Sequence, residues 1–576
     1  MIKKTSYILG IHDGHNCGAT LIGDGVILSS VNEERLTRIK NEAGYPRRSV
    51  EEVLRVANVD SSLLDEVVYA SLFMHATSYL KDISSWYHVG LSEQMAAKAQ
   101  PKEYQDLIFQ QRKKERIDAV VEHLGVSNDK VTFVEHHLAH LTAAYYTAPK
   151  WDRSTPTLGL TCDGAGDGLS ATVSICEGNS FRRIATTDRH ASLGKIYSRV
   201  TYLLGLTPWE HEYKVMGLAP YAESKLVQSK LNILEELIHL RPDGLGFALS
   251  TPLSTNYCYE YLRERFERAR FDVIAGTIQL FTEKMLVGWV REAIKATGIR
   301  KVVCGGGVFM NVKANMIIAQ LEEVTDLYIM PTASDESLSI GAALYRYYDK
   351  SSDKNYHASH LQNLYLGGEF TAQQERLAIE EAKNKGAFIV DEPTNMDFAI
   401  GELLAEGQIT AVCRGRMEWG ARSLGNRSIL AAADDFRRVD QINKMIKMRD
   451  FWMPFAPAII EEQASKYYEN PKKVTDDFMA ICFPSRSEAA LDISASMHPR
   501  DGTLRPQAVR KNANPGFHAA ISQYFNKTGR GGVLNTSFNI HGSPIVYTPA
   551  DAIDVFLRSG LKYLALGNYV LNKKAG

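Results

Sequence analysis

In the stretch "VIAGTIQLFTEKMLVGWVREAIKATG", the apolar residues Ile274, Ile278, Phe281, Met285 and Trp289 are spaced by four, three, four and four. That period puts them on one helical face, and Gly298 marks the end of the helix. Two other stretches carry the shorter rhythm of strands. "YILGIHDGHNCGATLIGDGVILSSVNEE" and "TLGLTCDGAGDGLSATVSICEGNSFRRIAT" each read as an apolar strand, an Asp-Gly turn, a strand of small residues, a glycine-containing turn and a third strand. The turn aspartates, Asp13 and Asp163, lie about one domain length apart. A three-strand meander repeated at that interval predicts a duplicated α/β unit.

A third element fits the same plan. In "RKVVCGGGVFMNVKANMIIAQ", a short strand at Val302 and Val303 runs into Gly305, Gly306 and Gly307, and a helical pattern follows. Glycines between strand and helix let backbone N–H groups approach a phosphate closely. Two hairpins with such a loop predict the actin/hexokinase-like ATPase fold, in which the hairpins face each other across a nucleotide's phosphate tail. The chain changes character over residues 347–368, "YYDKSSDKNYHASHLQNLYLGG", which is polar and aperiodic. The expected division is therefore a domain over residues 1–350, a linker region over 351–395 and a second α/β domain over 396–576.

A length of 576 residues implies more than one core. Lys+Arg 66 against Asp+Glu 67 supplies no general field toward nucleic acid, which is not expected as a partner. Nor is a membrane: no charge-poor stretch reaches spanning length, and "MIKKTSYILGIHDGHN" breaks its apolar run too early for a secretory signal. The seven cysteines are scattered without a CxxC pair, as reduced thiols in a cytoplasmic protein are.

Chemistry concentrates in two places. "VEHHLAHLTAAYY" holds His136, His137 and His140; on a helix either His136 or His137 shares a face with His140. From residue types alone, a metal pair and polar groups at a helix start are equally open. The second place is "GRMEWGARSLGNRSILAAA" with "INKMIKMRDFWMPFAPAI", which contain Arg414, Arg416, Arg422, Arg427, Lys447 and Arg449. These cations alternate with apolar residues instead of forming a solvated face, a pattern that suits a small polyanion bound by arginine forks and lysine charges.

Together "HDGHNCGATL", "EERLTRIK", "EHHLAH", "EYKVMGLAPY" and "GGGVFMN" resemble the O-carbamoyltransferases related to nodulation protein U and to the cephalosporin and tobramycin carbamoyltransferases. The resemblance runs over nearly the whole chain. It implies an actin-like, Kae1-like domain followed by a YrdC-like domain. In the first, an HxxxH pair and two aspartates hold an iron-type divalent metal, which selects His136, His140, Asp163 and Asp335. Asp335 lies in "MPTASDESLSIGAALY" and would also serve as an ordinary helix cap. Glu212, Lys214, Gly217, the three glycines and Asn311 are the expected nucleotide pocket. His15 corresponds to the proposed base for the acceptor hydroxyl, with His12 as its rival.

In the second domain a K-x-R…S-x-N pattern matches Lys447, Arg449, Ser537 and Asn539, joined by Arg422 and Arg505. The implied reaction takes ATP, with Mg2+, and carbamoyl phosphate to carbamoyl-adenylate. The carbamoyl group then passes to a hydroxyl of a small natural product, as in antibiotic biosynthesis. The chain departs from the pattern in having Met453 where relatives often have Arg, and Ser543 where they have Glu. A fused tRNA threonylcarbamoyl-transfer enzyme and an actin-like small-molecule kinase are the alternatives.

Overall fold

The computed structural model describes residues 5–74, 102–149, 151–351, 356–384, 386 and 388–573. They divide into two compact units, one comprising residues up to Glu33 with Asn41–Leu361, the other Glu34–Lys40 with Gln362–Gly576.

In the first unit β1 (Tyr7–His12), β2 (Gly18–Gly23) and β3 (Val26–Asn32) form an antiparallel meander. β4 (Leu64–Ala70) and β5 (Val131–Val134) extend it in parallel, giving the order β3-β2-β1-β4-β5. β6 (Thr157–Gly166), β7 (Leu169–Glu177) and β8 (Ser180–Asp188) make a second meander. After a small hairpin of β9 (Ile238–Leu240) and β10 (Phe247–Leu249), β11 (Lys301–Gly305) and β12 (Asp326–Ile329) complete the order β8-β7-β6-β11-β12. The two sheets repeat one topology, antiparallel triplet then parallel pair. The duplicated hairpins are present, but the second turns at Asp167 and Gly168 and not at Asp163, which stays inside β6; the doubled α/β topology is that of the actin/hexokinase-like fold.

Small residues let the two halves approach. Helices His136–Thr147 and Leu338–Lys350 cross so closely that a Cβ on Gly341 would lie 1.8 Å from the Ala139 carbonyl oxygen. Any side chain there would force the helices apart. The expected amphipathic helix spans Phe271–Thr297 and ends at Gly298, whose φ of 70° is the left-handed conformation of a helix C-terminus. Ile274, Ile278, Phe281, Met285 and Trp289 are all buried. Among the described residues this is the one helix long and apolar enough to cross a membrane, and most of it is buried inside the unit.

The second unit is built on a mixed sheet. Its strands are β13 (Phe388–Asp391), β14 (Thr410–Cys413), β15 (Arg427–Ala432), β16 (Ala456–Ile460), β19 (Gln507–Val509), β20 (Gly532–Ser537), β21 (Tyr563–Leu566) and β22 (Tyr569–Lys573). Their order is β13-β22-β21-β14-β15-β20-β16-β19, and β17 (Phe483–Pro484) pairs separately with β18 (Thr503–Leu504). Helices Met396–Ala405 and Pro515–Thr528 cover one face through Ile400, Leu404, Phe517 and Ile521. Residues 351–395, expected to link, contribute helix Ala372–Ala382 and edge strand β13 to this unit. The helix starts at a capping box, Thr371 with Gln374, but buries only a narrow stripe, so its apolar period is weak.

Candidate functional site

The three histidines sit where β5 gives way to helix His136–Thr147. Glu135 is the cap: its carboxylate accepts from the N–H groups of His137 and Leu138 at 3.1 and 2.7 Å. That start brings His136 and His140 onto one helical face, with their Nε2 atoms 3.1 Å apart. Ser71 Oγ meets His136 Nδ1 at 2.9 Å and Ser337 Oγ meets His140 Nδ1 at 3.3 Å, so both Nε2 atoms are turned inward.

Two carboxylates complete the group. Asp163, at the irregularity near the end of β6, lies 3.4 Å from His136 Nε2. Asp335 Oδ1 is 3.8 and 3.5 Å from the Nε2 atoms of His136 and His140. Asp335 does not cap its helix. Ser334 holds the cap position and the Asp335 side chain makes no cap bond, so the carboxylate is committed to the histidines.

All four residues are buried, and their candidate ligand atoms lie within 4.8 Å of one another. Ligands about 2.1 Å from one ion are separated by about 3.0–3.4 Å, near the shorter spacings here. Asp335 Oδ1 is buried without a hydrogen-bond partner, which is costly unless an ion takes it up. Burial lowers the proton affinity of His136, but the Asp163 hydrogen bond and the Asp335 charge outweigh it and carry the pKa up to about 9. The donor set fits a divalent metal of Fe, Mn or Zn type. His137 stands outside it. Its Nδ1 meets Thr161 Oγ1 at 2.8 Å, and burial holds its pKa down to about 3.

The duplicated aspartates have diverged. Asp13 is ion-paired to Arg116 at 2.9 Å, which neutralises it, whereas Asp163 faces the histidines. Asp163 is positioned by the triple glycine, since Gly307 N–H donates to its Oδ1 at 2.8 Å. Gly306, with φ 97°, would place a Cβ only 2.3 Å from the Cys162 carbonyl oxygen. Gly305 packs on the His140 carbonyl in the same way. Close packing against this group is the role visible for these glycines.

His15 and His12 both reach Asp335 Oδ2, at 3.2 and 3.5 Å. They differ in access. His12 is fully buried, donates from Nε2 to the His15 carbonyl at 3.1 Å, and burial lowers its pKa to about 4. His15 keeps 23% of its side chain exposed and stacks on Trp209, ring centroids 4.7 Å apart. Trp209 in turn donates its backbone N–H to Glu212 at 2.8 Å, and burial pushes the Glu212 carboxyl up to about 7. Lys214 and Gly217 are buried on the same short helix, Glu212–Leu218. Asn311 caps helix Val312–Gln320 and exchanges hydrogen bonds with Gln279, an internal role for its amide.

Trp209 carried no sequence signal. Lys195 also escaped it: its ammonium lies over Trp209, and burial, then Arg199, lower its pKa to about 8 against the pull of Asp163.

The second polar centre belongs to the second unit. Lys447 ends a π-helical turn, Asn443–Lys447, and Met448 follows with φ 45°. That left-handed residue turns its own side chain outward, 79% exposed, while Lys447 is buried. Lys447 Nζ donates to Asn539 Oδ1 at 2.6 Å, Ser537 Oγ at 3.1 Å and Asn539 O at 3.3 Å. Ser537 ends β20 and Asn539 follows two positions beyond it, with Phe538 buried between them. Arg449 donates to Thr536 Oγ1 at 2.9 Å and stacks over Phe455.

The acceptors of Lys447 are neutral, and no carboxylate acts on it. Burial, with the charges of Arg449 and Lys40, holds its ammonium well below the ordinary lysine range. A buried ammonium held by neutral acceptors makes Lys447 a candidate partner for an anion.

The other cations separate. Arg414, Arg416 and Arg427 do not converge on this centre; they donate to the carbonyls of Gly567, of Gly367 and Leu366, and of Tyr547, respectively. Arg422 and Arg505 are half-buried in the loops before β15 and after β18, and enter none of the Lys447 or Arg449 hydrogen bonds described. Met453 is buried, and Ser543 serves through its carbonyl, which accepts from Asn539 Nδ2 at 2.7 Å whatever its side chain.

An actin-like unit with a His2Asp2 group, joined in sequence to an α/β unit with a buried cation centre, defines a two-unit α/β protein with two polar centres. The family models for carbamoyltransferase N-terminus and C-terminus match residues 7–344 and 401–573. The chain belongs to the carbamoyltransferase family and is an enzyme that transfers carbamoyl groups. It is 31% identical to an uncharacterized protein of Methanocaldococcus jannaschii, over 98% of this chain and 99% of that one. It is 29% identical to the nodulation protein NolNO of Sinorhizobium fredii, over 98% of this chain and 79% of that one. Against the 3'-hydroxymethylcephem-O-carbamoyltransferase of Streptomyces clavuligerus the identity is 28%, over 43% of this chain and 44% of that one.

Proposed function

We propose that this protein is an ATP-dependent O-carbamoyltransferase of the cytoplasm that works in two steps. The observation that carries the reading is buried Lys447 held by half-buried Ser537 and Asn539, a cation whose hydrogen-bond acceptors are neutral. In the second unit carbamoyl phosphate is hydrolysed to carbamate and phosphate. A carbamate oxygen then attacks the α-phosphorus of MgATP, forming carbamoyl-adenylate as the α–β bridging bond breaks and pyrophosphate leaves. Lys447 and Arg449 stabilise the negative charge that builds on the phosphates, and Ser537 and Asn539 hold Lys447 in place for this. Arg422 and Arg505 serve the same anions from the flanking loops.

In the first unit, Glu212, Lys214, Gly217 and the triple glycine with Asn311 border the nucleotide part of the adenylate. The acceptor hydroxyl of a small natural product attacks the carbamoyl carbon, AMP leaves, and His15 takes the hydroxyl proton at Nε2. His136, His140, Asp163 and Asp335 would hold a divalent metal, iron by resemblance, which supplies Lewis-acid polarisation of a phosphate or carbonyl oxygen. Pyrophosphate release tests the donor. Carbamoyl phosphate with ATP is expected to drive it, and release driven instead by threonine with bicarbonate would overturn the assignment in favour of the tRNA-modifying chemistry.

Two further outcomes follow. Elemental analysis will find about one divalent ion per chain, as for a single mononuclear site. His136→Ala and His140→Ala will each lose most of it, and His137→Ala little; equal loss from all three would defeat the ligand set. The second outcome concerns protons. Lys447 starts with a depressed pKa, and a bound anion raises it back toward the usual lysine range. Inorganic pyrophosphate will therefore draw up to about one proton per chain at pH between the depressed and the restored value, and the uptake fades as pH rises into the usual lysine range. Calorimetry in two buffers of different ionisation enthalpy reads this uptake, which Lys447→Met should remove.

A further inference from the structure

Lys195 takes no part in the chemistry above, yet it stands beside the metal group. It lies in the first turn of helix Leu193–Leu203, whose cap is Ser192. The Lys195 N–H donates to Ser192 Oγ at 3.0 Å, and Ser192 Oγ donates to the Gly164 carbonyl at 2.6 Å. Gly194 permits the close approach, since a Cβ there would lie 3.0 Å from the Asp163 carbonyl oxygen. The start of the helix is thus pinned against the Asp163–Gly164 pair. The half-buried Lys195 side chain lies along Gly164, where a Cβ would come 3.7 and 3.8 Å from its Cε and Nζ.

The ammonium is left over. Among the described residues no carboxylate is ion-paired with it and no oxygen accepts a hydrogen bond from it; its Nζ lies over the Trp209 ring, 5.9 Å from the centroid. Asp163 and Asp335 are the carboxylates whose charges act on it, and both face the histidines. A divalent ion held there would cancel those charges and leave Lys195 as a surplus cation where solvent screens little. Arg199, on the same helix, is spent elsewhere: its Nε and Nη2 donate to the Asn256 carbonyl at 3.1 and 2.7 Å.

The order of the groups says which anion belongs there. His15, the base for the attacking hydroxyl, stacks on Trp209, and Trp209 donates its N–H to Glu212, the first residue of the helix that borders the nucleoside. That bond holds Trp209 at φ 67°, left-handed backbone that a bulky residue keeps only when fixed. Carbamoyl-adenylate has the same order: carbamoyl carbon, phosphate, nucleoside. Trp209 and Lys195 occupy the middle. We propose that Lys195 binds the phosphate of carbamoyl-adenylate in the first unit and stabilises AMP as it leaves. This rests on the reading of that unit as the transfer site. As the bond from acceptor oxygen to carbamoyl carbon forms, the bond from that carbon to the phosphate oxygen breaks. Its electron pair stays on the phosphate, which goes from one negative charge to two, and the hydroxyl proton goes to His15. A fixed ammonium speeds the step because it meets charge that grows in the transition state.

The probe is AMP, with adenosine as its uncharged counterpart, followed by calorimetry on the full chain. Lys447→Met is the background, so that the cation of the second unit does not contribute. There Lys195→Met is expected to weaken AMP binding about tenfold to a hundredfold, the worth of one charge-assisted hydrogen bond, and to leave adenosine binding unchanged. Lys195→Arg should recover most of the loss, with both thermal midpoints near that of the background protein. With Lys447 restored, Lys195→Met should slow transfer while pyrophosphate release keeps its parent rate. Undiminished AMP affinity in Lys195→Met would overturn the proposal, and with slowed transfer would give Lys195 to the acceptor instead. Equal weakening of AMP and adenosine would also overturn it, as the mark of a merely structural role. If the Lys447→Met background binds no AMP at all, the transfer-site reading itself falls, and the role of Lys195 with it.

Discussion

An Asp163→Ala protein will release pyrophosphate from ATP and carbamoyl phosphate at nearly the parent rate and yield no carbamoylated product. Asp163 belongs to the first unit, where its carboxylate faces His136 and is held by the Gly307 N–H. None of the groups that donate to or accept from Lys447 lies in that unit. Adenylate should therefore form and then decay in water for want of transfer. The reverse variant, Ser537→Ala with Asn539→Ala, removes two of the oxygens that hold Lys447 and should abolish pyrophosphate release. Chemically supplied carbamoyl-adenylate should then restore product. Loss of pyrophosphate release in folded Asp163→Ala protein would show that the two steps cannot be separated.

His15→Asn will slow transfer by about two to four powers of ten, the usual worth of a general base, while pyrophosphate release stays near its original rate. Asparagine retains a polar group of similar reach but accepts no proton at neutral pH. Both histidines touch Asp335, so contact with the metal group does not choose between them. Access does. The His15 ring lies against Trp209 with part of its edge open, whereas His12 is closed in and its burial disfavours the protonated form. Unchanged transfer in His15→Asn, with His12→Asn inactive, would reverse the assignment.

What the sequence determined by itself was local. Apolar spacing defined helix Phe271–Thr297 and the two meanders, because period and turn residues act over a few positions. The i, i+4 spacing offered His136 with His140 but equally left His137 in play, and only its hydrogen bond to Thr161 sets His137 aside. K-x-R and S-x-N were readable as patterns. Their convergence needed a left-handed Met448 and the path of the chain at the end of β20, neither of which residue types announce.

Tertiary structure decided everything that joins distant segments. It brought Asp335 to a helix nearly two hundred positions earlier, and it gave Asp13 to Arg116 but Asp163 to the histidines, though each begins an Asp-Gly pair. It turned Arg416 and Arg427 to backbone carbonyls, and Arg414 to the Gly567 carbonyl and the Asp397 carboxylate. It also moved Glu34–Lys40 into the second unit and turned residues 372–382 of an apparent linker into a helix. The physical reason is common to all of these. A charge is stabilised by whatever partner burial leaves within reach, and that partner is chosen by packing across the fold, not by neighbours along the chain.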